Sequence, residues 1–141
     1  MWSNEIEKSL KHDKEFLGCF SPDFLPTFPT SFPKSLIINT MNSNKDGEHW
    51  LGLVLLRKKC FYFDSFGIPI INENILNFLA TYDKVTYSNI CIQSATSLQC
   101  GKFCIAFVKC VRSNISYNNF LSLFERVDLN KNDRLIENID F

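Results

Sequence analysis

The chain has 141 residues, about the size of one ordinary domain, and 45% of them are apolar, which argues against a disordered chain. Its formal net charge is zero, so the total charge gives no support to a nucleic-acid partner. The longest apolar runs are far too short to span a bilayer, and no membrane partner is expected. We predict one domain over residues 1–141 that acts as a monomer.

The chain has six cysteines and two histidines, which limit the redox and metal chemistry it can perform. The N-terminal segment is charged and lacks the apolar stretch of a secretory signal, so a reducing intracellular compartment with free thiols is expected. The cysteines and histidines do not have the spacing of a four-ligand zinc site, and no metal is predicted. Most of the thiols are expected to be small buried side chains. The cysteines are Cys19, Cys60, Cys91, Cys100, Cys104 and Cys110.

Helices and strands are predicted in mixed order along the chain. An amphipathic helix runs from Ser3 to about Lys11, and residues 16–34 follow, where four prolines exclude a regular helix or a central strand. Apolar or aromatic runs predict four strands, Ser35–Thr40, Trp50–Leu56, Lys59–Phe63 and Val85–Ile92. Helical spacing predicts further helices over Asn72–Tyr82, from Cys100 onward, over Asn118–Val127 and over Asp133–Ile139. These elements predict an α+β fold with a small mixed central sheet flanked by helices.

His49 and Asp64 are predicted to meet at one edge of the sheet. His49 stands between a polar loop over residues 42–48 and an apolar strand, so its side chain can be rigidly held and still exposed. Arg57 and Lys58 form the predicted turn of a hairpin whose second arm ends at Asp64, and the two arms are nearly equal in length. A carboxylate there can orient an imidazole and stabilise its charged form. Taken alone, His49 also fits a structural role at a strand end, and Asp64 fits a turn cap.

Cys100 is predicted to open a helix, where the positive end of the helix dipole favours a thiolate over a thiol. Gly101 leaves the backbone beside the sulfur open, and the unpaired N–H of Cys100 can donate to an oxyanion. Gln93 ends the preceding predicted strand, and its amide can supply a second donor. Alone, Cys100 also fits a buried structural thiol and Gln93 a surface glutamine. The combination with His49 and Asp64 favours nucleophilic catalysis by a cysteine.

Four segments of the chain form a longer pattern. They are Phe16-Leu17-Gly18, Gly47-Glu48-His49-Trp50, Cys60-Phe61-Tyr62-Phe63-Asp64-Ser65-Phe66-Gly67, and a block with Gln93, Ser97, Cys100-Gly101 and Phe103-Cys104. The pattern resembles the adenovirus-type cysteine endopeptidase (adenain) family, including the related proteases of virus-like DNA transposons. The resemblance covers nearly the whole chain. The family has Cys-Tyr-x-Phe-Glu-Pro-Phe-Gly in the third segment and Gln-x-x-x-Ser-x-x-Cys-Gly-x-Phe-Cys in the fourth, where the spacing matches without a gap.

The resemblance implies the fold shared by ubiquitin-like-protein proteases and adenain, and a cysteine endopeptidase activity. It implies that Cys100 is the nucleophile, His49 the general base and Gln93 a donor in the oxyanion hole. Asp64 stands where adenain has a glutamate, and either carboxylate can orient the imidazole. Trp50 is implied to narrow the substrate channel, although core packing explains a large aromatic residue at that position equally well.

The resemblance also bears on partners, cofactors and location. It implies protein substrates, namely viral or transposon structural precursors, and a location in the host nucleus or the virion. Adenain is activated by a viral peptide that it binds through a disulfide, and by DNA. The cysteine that bonds the peptide aligns with Tyr82 here, and Cys91 nearby is not expected to replace it. No cofactor is required by the sequence, and dependence on a peptide or on DNA is not predicted to transfer.

Two other functions remain open from the sequence. A protease that removes ubiquitin-like modifiers shares this catalytic arrangement, and the Phe16-Leu17-Gly18 segment favours the viral type over it. A non-catalytic interaction module of the same fold is disfavoured because all four candidate residues, His49, Asp64, Gln93 and Cys100, are present.

Overall fold

In the described residues, five strands form one sheet whose spatial order follows the chain: β1 (Phe16–Phe20), β2 (Lys34–Asn39), β3 (Trp50–Leu55), β4 (Lys59–Phe63) and β5 (Lys84–Thr86). The structure is a computed structural model and describes residues 1–44 and 49–141. The central strands β2, β3 and β4 are antiparallel, whereas the edge strands β1 and β5 pair in parallel with their neighbours. The predicted small mixed sheet is therefore confirmed.

Helices cover both faces of this sheet. They are α1 (Ser3–Leu10), α2 (Glu73–Leu79), α3 (Cys100–Arg112), α4 (Tyr117–Leu121) and α5 (Leu129–Glu137). The apolar side chains of α2 belong to one buried cluster, and those of α1, α3, α4 and α5 belong to the cluster on the other face. The predicted α+β class is confirmed by this arrangement. None of the helices in the described part of the chain has the length and apolar character needed to cross a bilayer.

Two sequence predictions were wrong about where strands lie. Phe16–Phe20 is an edge strand, because the prolines of residues 16–34 begin only at Pro22 and leave the preceding backbone N–H groups free to pair. The last predicted strand ends at Thr86, and Gln93 does not close a strand. The backbone N–H groups of Ile92 and Gln93 instead donate to the carbonyl of Ser65, at 2.9 and 3.1 Å.

Two predicted helices also have different bounds. α4 ends at Leu121, well before the predicted Val127. The chain bends there because the buried side chain of Asn132 bonds both the N–H and the C=O of Glu125, each at 2.7 Å. α5 begins earlier than predicted, with Asp128 capping its first turn through a hydrogen bond to the Lys131 N–H.

The β3–β4 hairpin has the predicted register. The Leu56 N–H donates to the Lys59 carbonyl across the turn, and Gly52 pairs with Phe63 farther along. Continued by one residue, this register sets Asp64 opposite Leu51, so Asp64 and His49 are diagonal neighbours on the same face. The polar loop predicted before His49 includes residues 45–48, which lie outside the described residues.

Helix α3 packs directly on β3, and the closest approach is at Gly52. A Cβ atom at Gly52 would lie 2.8 Å from Cδ1 of Phe107, which is too close for any real contact. The Phe107 ring is fully buried, stacks on Phe63 with centroids 4.9 Å apart, and meets Phe120 edge-on at 5.7 Å. Because neighbouring rings confine it, it cannot move aside freely. Gly52 therefore sets the distance between the helix that begins at Cys100 and the strand that follows His49.

We expect Gly52→Ala to lower the free energy of unfolding by about 1–3 kcal/mol, because the added methyl overpacks this contact. Urea unfolding measures the change. Adding Phe107→Leu to Gly52→Ala makes room for the methyl, so the double variant should be more stable than the sum of the two single changes predicts. Full additivity, or a Gly52→Ala protein as stable as the wild type, would contradict the close contact.

Candidate active site

His49 and Asp64 form a close, buried pair at the edge of the sheet. The His49 Nε2 atom lies 2.7 Å from Oδ1 of Asp64, and the two side chains are only 12% and 5% exposed. The same Oδ1 accepts the N–H of Phe66 at 2.8 Å, and the Phe66 ring stacks on the imidazole with centroids 4.7 Å apart. The carboxylate and the aromatic ring together fix the imidazole plane, and Nδ1 is the ring nitrogen left for another partner.

Cys100 is the first residue of α3, as predicted, and its side chain lies close enough to His49 for each group to shift the pKa of the other. The backbone N–H groups of Trp50 and Gly101 also help to lower the pKa of Cys100. One turn farther along the helix, the Cys104 thiol donates to the Trp50 carbonyl at 3.3 Å. The first turn of α3 is thus tied to the residue that directly follows His49.

Opposite pKa shifts show the charge state of the His49–Cys100 pair. Burial disfavours the imidazolium, but the hydrogen bonds and negative charges of Asp64 and Cys100 outweigh it and raise the pKa of His49 to about 9. Burial likewise disfavours the thiolate, but the hydrogen bond and positive charge of His49, with the two backbone N–H groups, lower the pKa of Cys100. Both shifts favour a thiolate–imidazolium pair near neutral pH.

Four other thiols, buried or partly buried, have the opposite pKa shift. Burial raises the pKa of both Cys19 and Cys60 to about 12, and burial raises the pKa of Cys110 as well. Burial also raises the pKa of Cys104 well above its usual value, although Cys104 is only one helical turn from Cys100. All six cysteines are free in this structure. Contact with His49 therefore distinguishes Cys100 from these four thiols.

Gln93 lies beside this pair but is held by a loop and not by a strand. Its side chain is 1% exposed, and both Gln93 and Cys100 line one cleft. Oε1 of Gln93 accepts from the Ser65 hydroxyl at 2.5 Å, and Nε2 donates to the Ser97 carbonyl at 2.8 Å. The surface-loop interpretation of Gln93 was therefore wrong, because the side chain is buried and fully oriented.

The turn after Asp64 presses closely on the loop that holds Gln93. Gly67 has φ +66°, a left-handed conformation that favours glycine. A Cβ atom on it would lie 2.7 Å from the carbonyl carbons of Asn89 and Ile90. Glycine at this position lets the two segments approach.

The cleft that contains Cys100 has a volume of about 660 Å³. Trp50 lines one wall and is half-buried, so it serves both the core and the cleft surface. Its indole N–H donates to the Met1 carbonyl at 3.0 Å. Gly101 was expected to open the backbone beside the sulfur to a ligand. Instead the N-terminal segment packs on it, since a Cβ atom there would lie 2.9 Å from the Met1 sulfur and 3.3 Å from Ile6. Its missing side chain makes room for the N-terminal segment.

Three residues around the site were missed by sequence reasoning. Phe66 stacks on His49, Ser65 bonds the Gln93 amide, and Asn132 holds the loop at Ile92. Ser65 and Phe66 directly follow Asp64 in the sequence. This position could have indicated them, since a turn beside a candidate triad residue usually packs on it. No sequence signal indicates Asn132, which reaches the site from a distant helix.

This arrangement suits attack by sulfur on a polarised carbonyl. It provides a thiol of lowered pKa and an imidazole held by a carboxylate, and the Gln93 side chain lines the same cleft as Cys100. In the described residues, no group of three or more His, Cys, Asp or Glu side chains is arranged to hold a metal ion.

The chain is similar in sequence to proteases of adenoviruses. The protease of human adenovirus B serotype 3 is 32% identical over 126 residues, which cover 72% of this chain and 60% of that protein. The protease of porcine adenovirus A serotype 3 is 28% identical over 147 residues, covering 82% of this chain and 70% of the relative. No family model matches the chain.

The fold is also known from a solved structure. The crystal structure of ASFV pS273R protease aligns with a TM-score of 0.63 over 96% of this chain and 65% of that one, at 16% sequence identity, which shows a shared fold. The chain spans 60% of the length of the human adenovirus relative. The chain is thus similar in sequence to adenovirus proteases and shares the fold of the ASFV protease.

Proposed function

We propose that this chain is a cysteine endopeptidase in which His49, Asp64 and Cys100 form the catalytic triad. The observation that carries the proposal is the 2.7 Å contact of His49 with Asp64, with Cys100 close enough to the imidazole that the pKa values of His49 and Cys100 shift in opposite directions. The opposite pKa shifts of His49 and Cys100 support a preformed ion pair, which is the reactive state of a cysteine peptidase.

The proposed reaction has two stages. The Cys100 thiolate attacks the scissile carbonyl, and the Cys100 N–H and the Gln93 amide donate to the oxyanion that forms. The His49 imidazolium then protonates the departing amine, which leaves a thioester on Cys100. Water, deprotonated by His49, attacks the thioester and releases the acid product and the thiolate. Asp64 stabilises the imidazolium throughout and keeps Nδ1 turned to the sulfur.

Viral structural precursor proteins are the proposed substrates. The sequence relatives are proteases of adenoviruses, which supports this substrate class over cellular conjugates. The cleft of about 660 Å³ is lined by both Cys100 and His49, so a peptide bound in it would lie beside this pair. Trp50 on the cleft wall is proposed to contact the substrate backbone near the cut. No activating peptide or DNA is included in this proposal.

Wild-type protein should cleave peptides that span the junctions of viral precursor proteins, and Cys100→Ala should abolish turnover because no other group can form the thioester. Gln93→Ala should lower kcat by about 10²–10³-fold, since one oxyanion donor is lost. Mass spectrometry of a peptide library measures both effects.

The matched control for the nucleophile is Cys110→Ala, which removes a partly exposed thiol from the same helix as Cys100 and should leave turnover unchanged. If the wild type cleaves conjugates of ubiquitin-like modifiers and no precursor peptide, the proposed substrate class is wrong. If Cys100→Ala retains turnover, the assigned nucleophile is wrong.

The pH profile of kcat/KM should fall on its alkaline side near pH 9, where the raised pKa of His49 removes the proton that the departing amine needs. Asp64→Asn removes a charge that raises this pKa, so the alkaline limb should move down by about 1 pH unit or more. Peptide hydrolysis measured from about pH 5 to about pH 10 tests this. Asp83→Asn, which removes an exposed carboxylate, is the control and should leave the limb in place. An unmoved limb in Asp64→Asn would contradict the role of this carboxylate.

Iodoacetamide at about pH 6 should alkylate Cys100 ahead of the other five cysteines, because its lowered pKa gives it more thiolate than an ordinary thiol has at that pH. Peptide mapping by mass spectrometry measures the rate at each site. His49→Ala removes the main group that lowers the Cys100 pKa, and the selectivity should disappear in that variant. Equal labelling of several cysteines in the wild type would argue against the ion pair.

A further inference from the structure

Ser65 connects the catalytic hairpin to the loop that carries Gln93. Ser65 is fully buried, and Gln93 is 1% exposed. The Ser65 carbonyl accepts the N–H groups of Ile92 and Gln93, and the Ser65 hydroxyl lies 2.5 Å from Oε1 of Gln93. One residue therefore holds both the backbone and the side chain of Gln93, directly after Asp64 in the chain.

The hydrogen bonds of Gln93 determine which way its amide points. The Ser97 carbonyl can only accept a hydrogen bond, so the group 2.8 Å from it must be Nε2. Oε1 then faces Ser65, and the serine hydroxyl must donate to it. Nε2 carries two hydrogens, and the bond to Ser97 uses one of them. The second hydrogen is left for a ligand in the cleft that Gln93 and Cys100 both line.

The backbone around Gln93 is held from a third direction by α5. The side-chain amide of Asn132 donates to the Ile92 carbonyl at 2.9 Å, and both carboxylate oxygens of Asp133 lie 3.4 Å from the Ser94 N–H. Contacts therefore fix the chain on each side of Gln93. The freedom that remains is rotation of the Gln93 side chain, and the Ser65 hydroxyl restricts it.

We propose that Ser65 is a positioning residue that orients and polarises the Gln93 amide as an oxyanion donor. A hydrogen bond to Oε1 draws electron density from the amide nitrogen, and this makes its free N–H a stronger donor. The amide is held ready before the oxyanion forms, so little reorganisation is needed in the transition state. The family pattern that this segment resembles has proline at this position, and proline has no hydroxyl. The proposal rests on the proposed peptidase function.

Ser65→Ala tests the role of the hydroxyl through four measurements. It should lower kcat about tenfold with KM within about twofold, because the donor acts mainly in the transition state. A peptide aldehyde, whose adduct with Cys100 has its oxygen in the oxyanion hole, should bind about tenfold more weakly. Alkylation of Cys100 by iodoacetamide forms no oxyanion, and its rate should stay within about twofold. Urea unfolding checks that the variant is folded.

Ser35→Ala is the matched control. Ser35 is also a fully buried serine, and its hydroxyl has no hydrogen-bond partner among the described residues. Removing that oxygen should leave kcat, aldehyde affinity and alkylation unchanged. If Ser35→Ala lowers kcat as much as Ser65→Ala does, general loosening of the core explains the effect and the proposal is wrong.

Coupling to Gln93 separates a positioning role from an independent one. Ser65→Ala should lower kcat in the wild type and have no further effect in a Gln93→Ala background. An equal loss in both backgrounds would overturn the proposal. Should Ser65→Ala fail to fold, Ser65→Thr and Ser65→Val provide a pair of equal shape that differs only in the hydroxyl. The threonine variant should be about tenfold more active than the valine variant, and equal activity would overturn the proposal.

Amide proton exchange of Gln93 needs no turnover, so it tests the role of Ser65 separately from the proposed peptidase function. The two side-chain amide protons of Gln93, followed by NMR in the folded protein, should exchange with water about tenfold faster in Ser65→Ala than in the wild type or Ser35→Ala. If the wild type cleaves no peptide but shows this difference, the peptidase function fails and the assigned hydrogen bond stands. Unchanged exchange in Ser65→Ala would overturn the assigned orientation.

Discussion

The packing of α3 against β3 is the constraint on which the site depends. His49 precedes the strand and Cys100 begins the helix, so their contact is set by how closely the two elements approach. Gly52 permits that approach beneath the Phe107 ring, and the Cys104 thiol ties the helix to the Trp50 carbonyl one turn from Cys100. The reactive pair is thus a consequence of core packing, and it is positioned by residues that have no part in the chemistry.

Burial disfavours the charged forms of both His49 and Cys100. The interaction between the two side chains acts against this effect of burial. Cys100 and Cys104 are one turn apart on the same helix and both are largely removed from water. The pKa of Cys104 is raised and that of Cys100 is lowered, because only Cys100 has the imidazolium and two backbone N–H groups as partners. Asp64 is needed for the same reason, since its charge keeps His49 protonated in a partly desolvated position. Low exposure in this site strengthens the ion pair once it is formed.

The local parts of this site could be predicted from the sequence because short-range rules determine them. The hairpin turn at Arg57 and Lys58 fixes the register that brings Asp64 beside His49, and helical spacing after Cys100 marks the start of α3. The Phe16–Phe20 strand could not be predicted, because an edge strand in a segment followed by prolines depends on its partner and not on its own pattern. The end of β5 at Thr86 was missed for a related reason, because Ile92 and Gln93 are held by hydrogen bonds to the Ser65 carbonyl and not by strand pairing.

Gln93 shows why the oxyanion side of the site depends on tertiary structure. Its backbone is held by the Ser65 carbonyl from the catalytic hairpin and, through Ile92, by Asn132 from α5, residues that are far apart in the chain. No periodicity or turn chemistry in the segment itself reports these contacts. The hairpin, the loop that carries Gln93 and helix α5 each have a separate packing role, yet their hydrogen bonds meet around Gln93. The proposed nucleophile and its proposed base can therefore be recognised from local patterns, whereas the proposed oxyanion donor is defined only when the chain is folded.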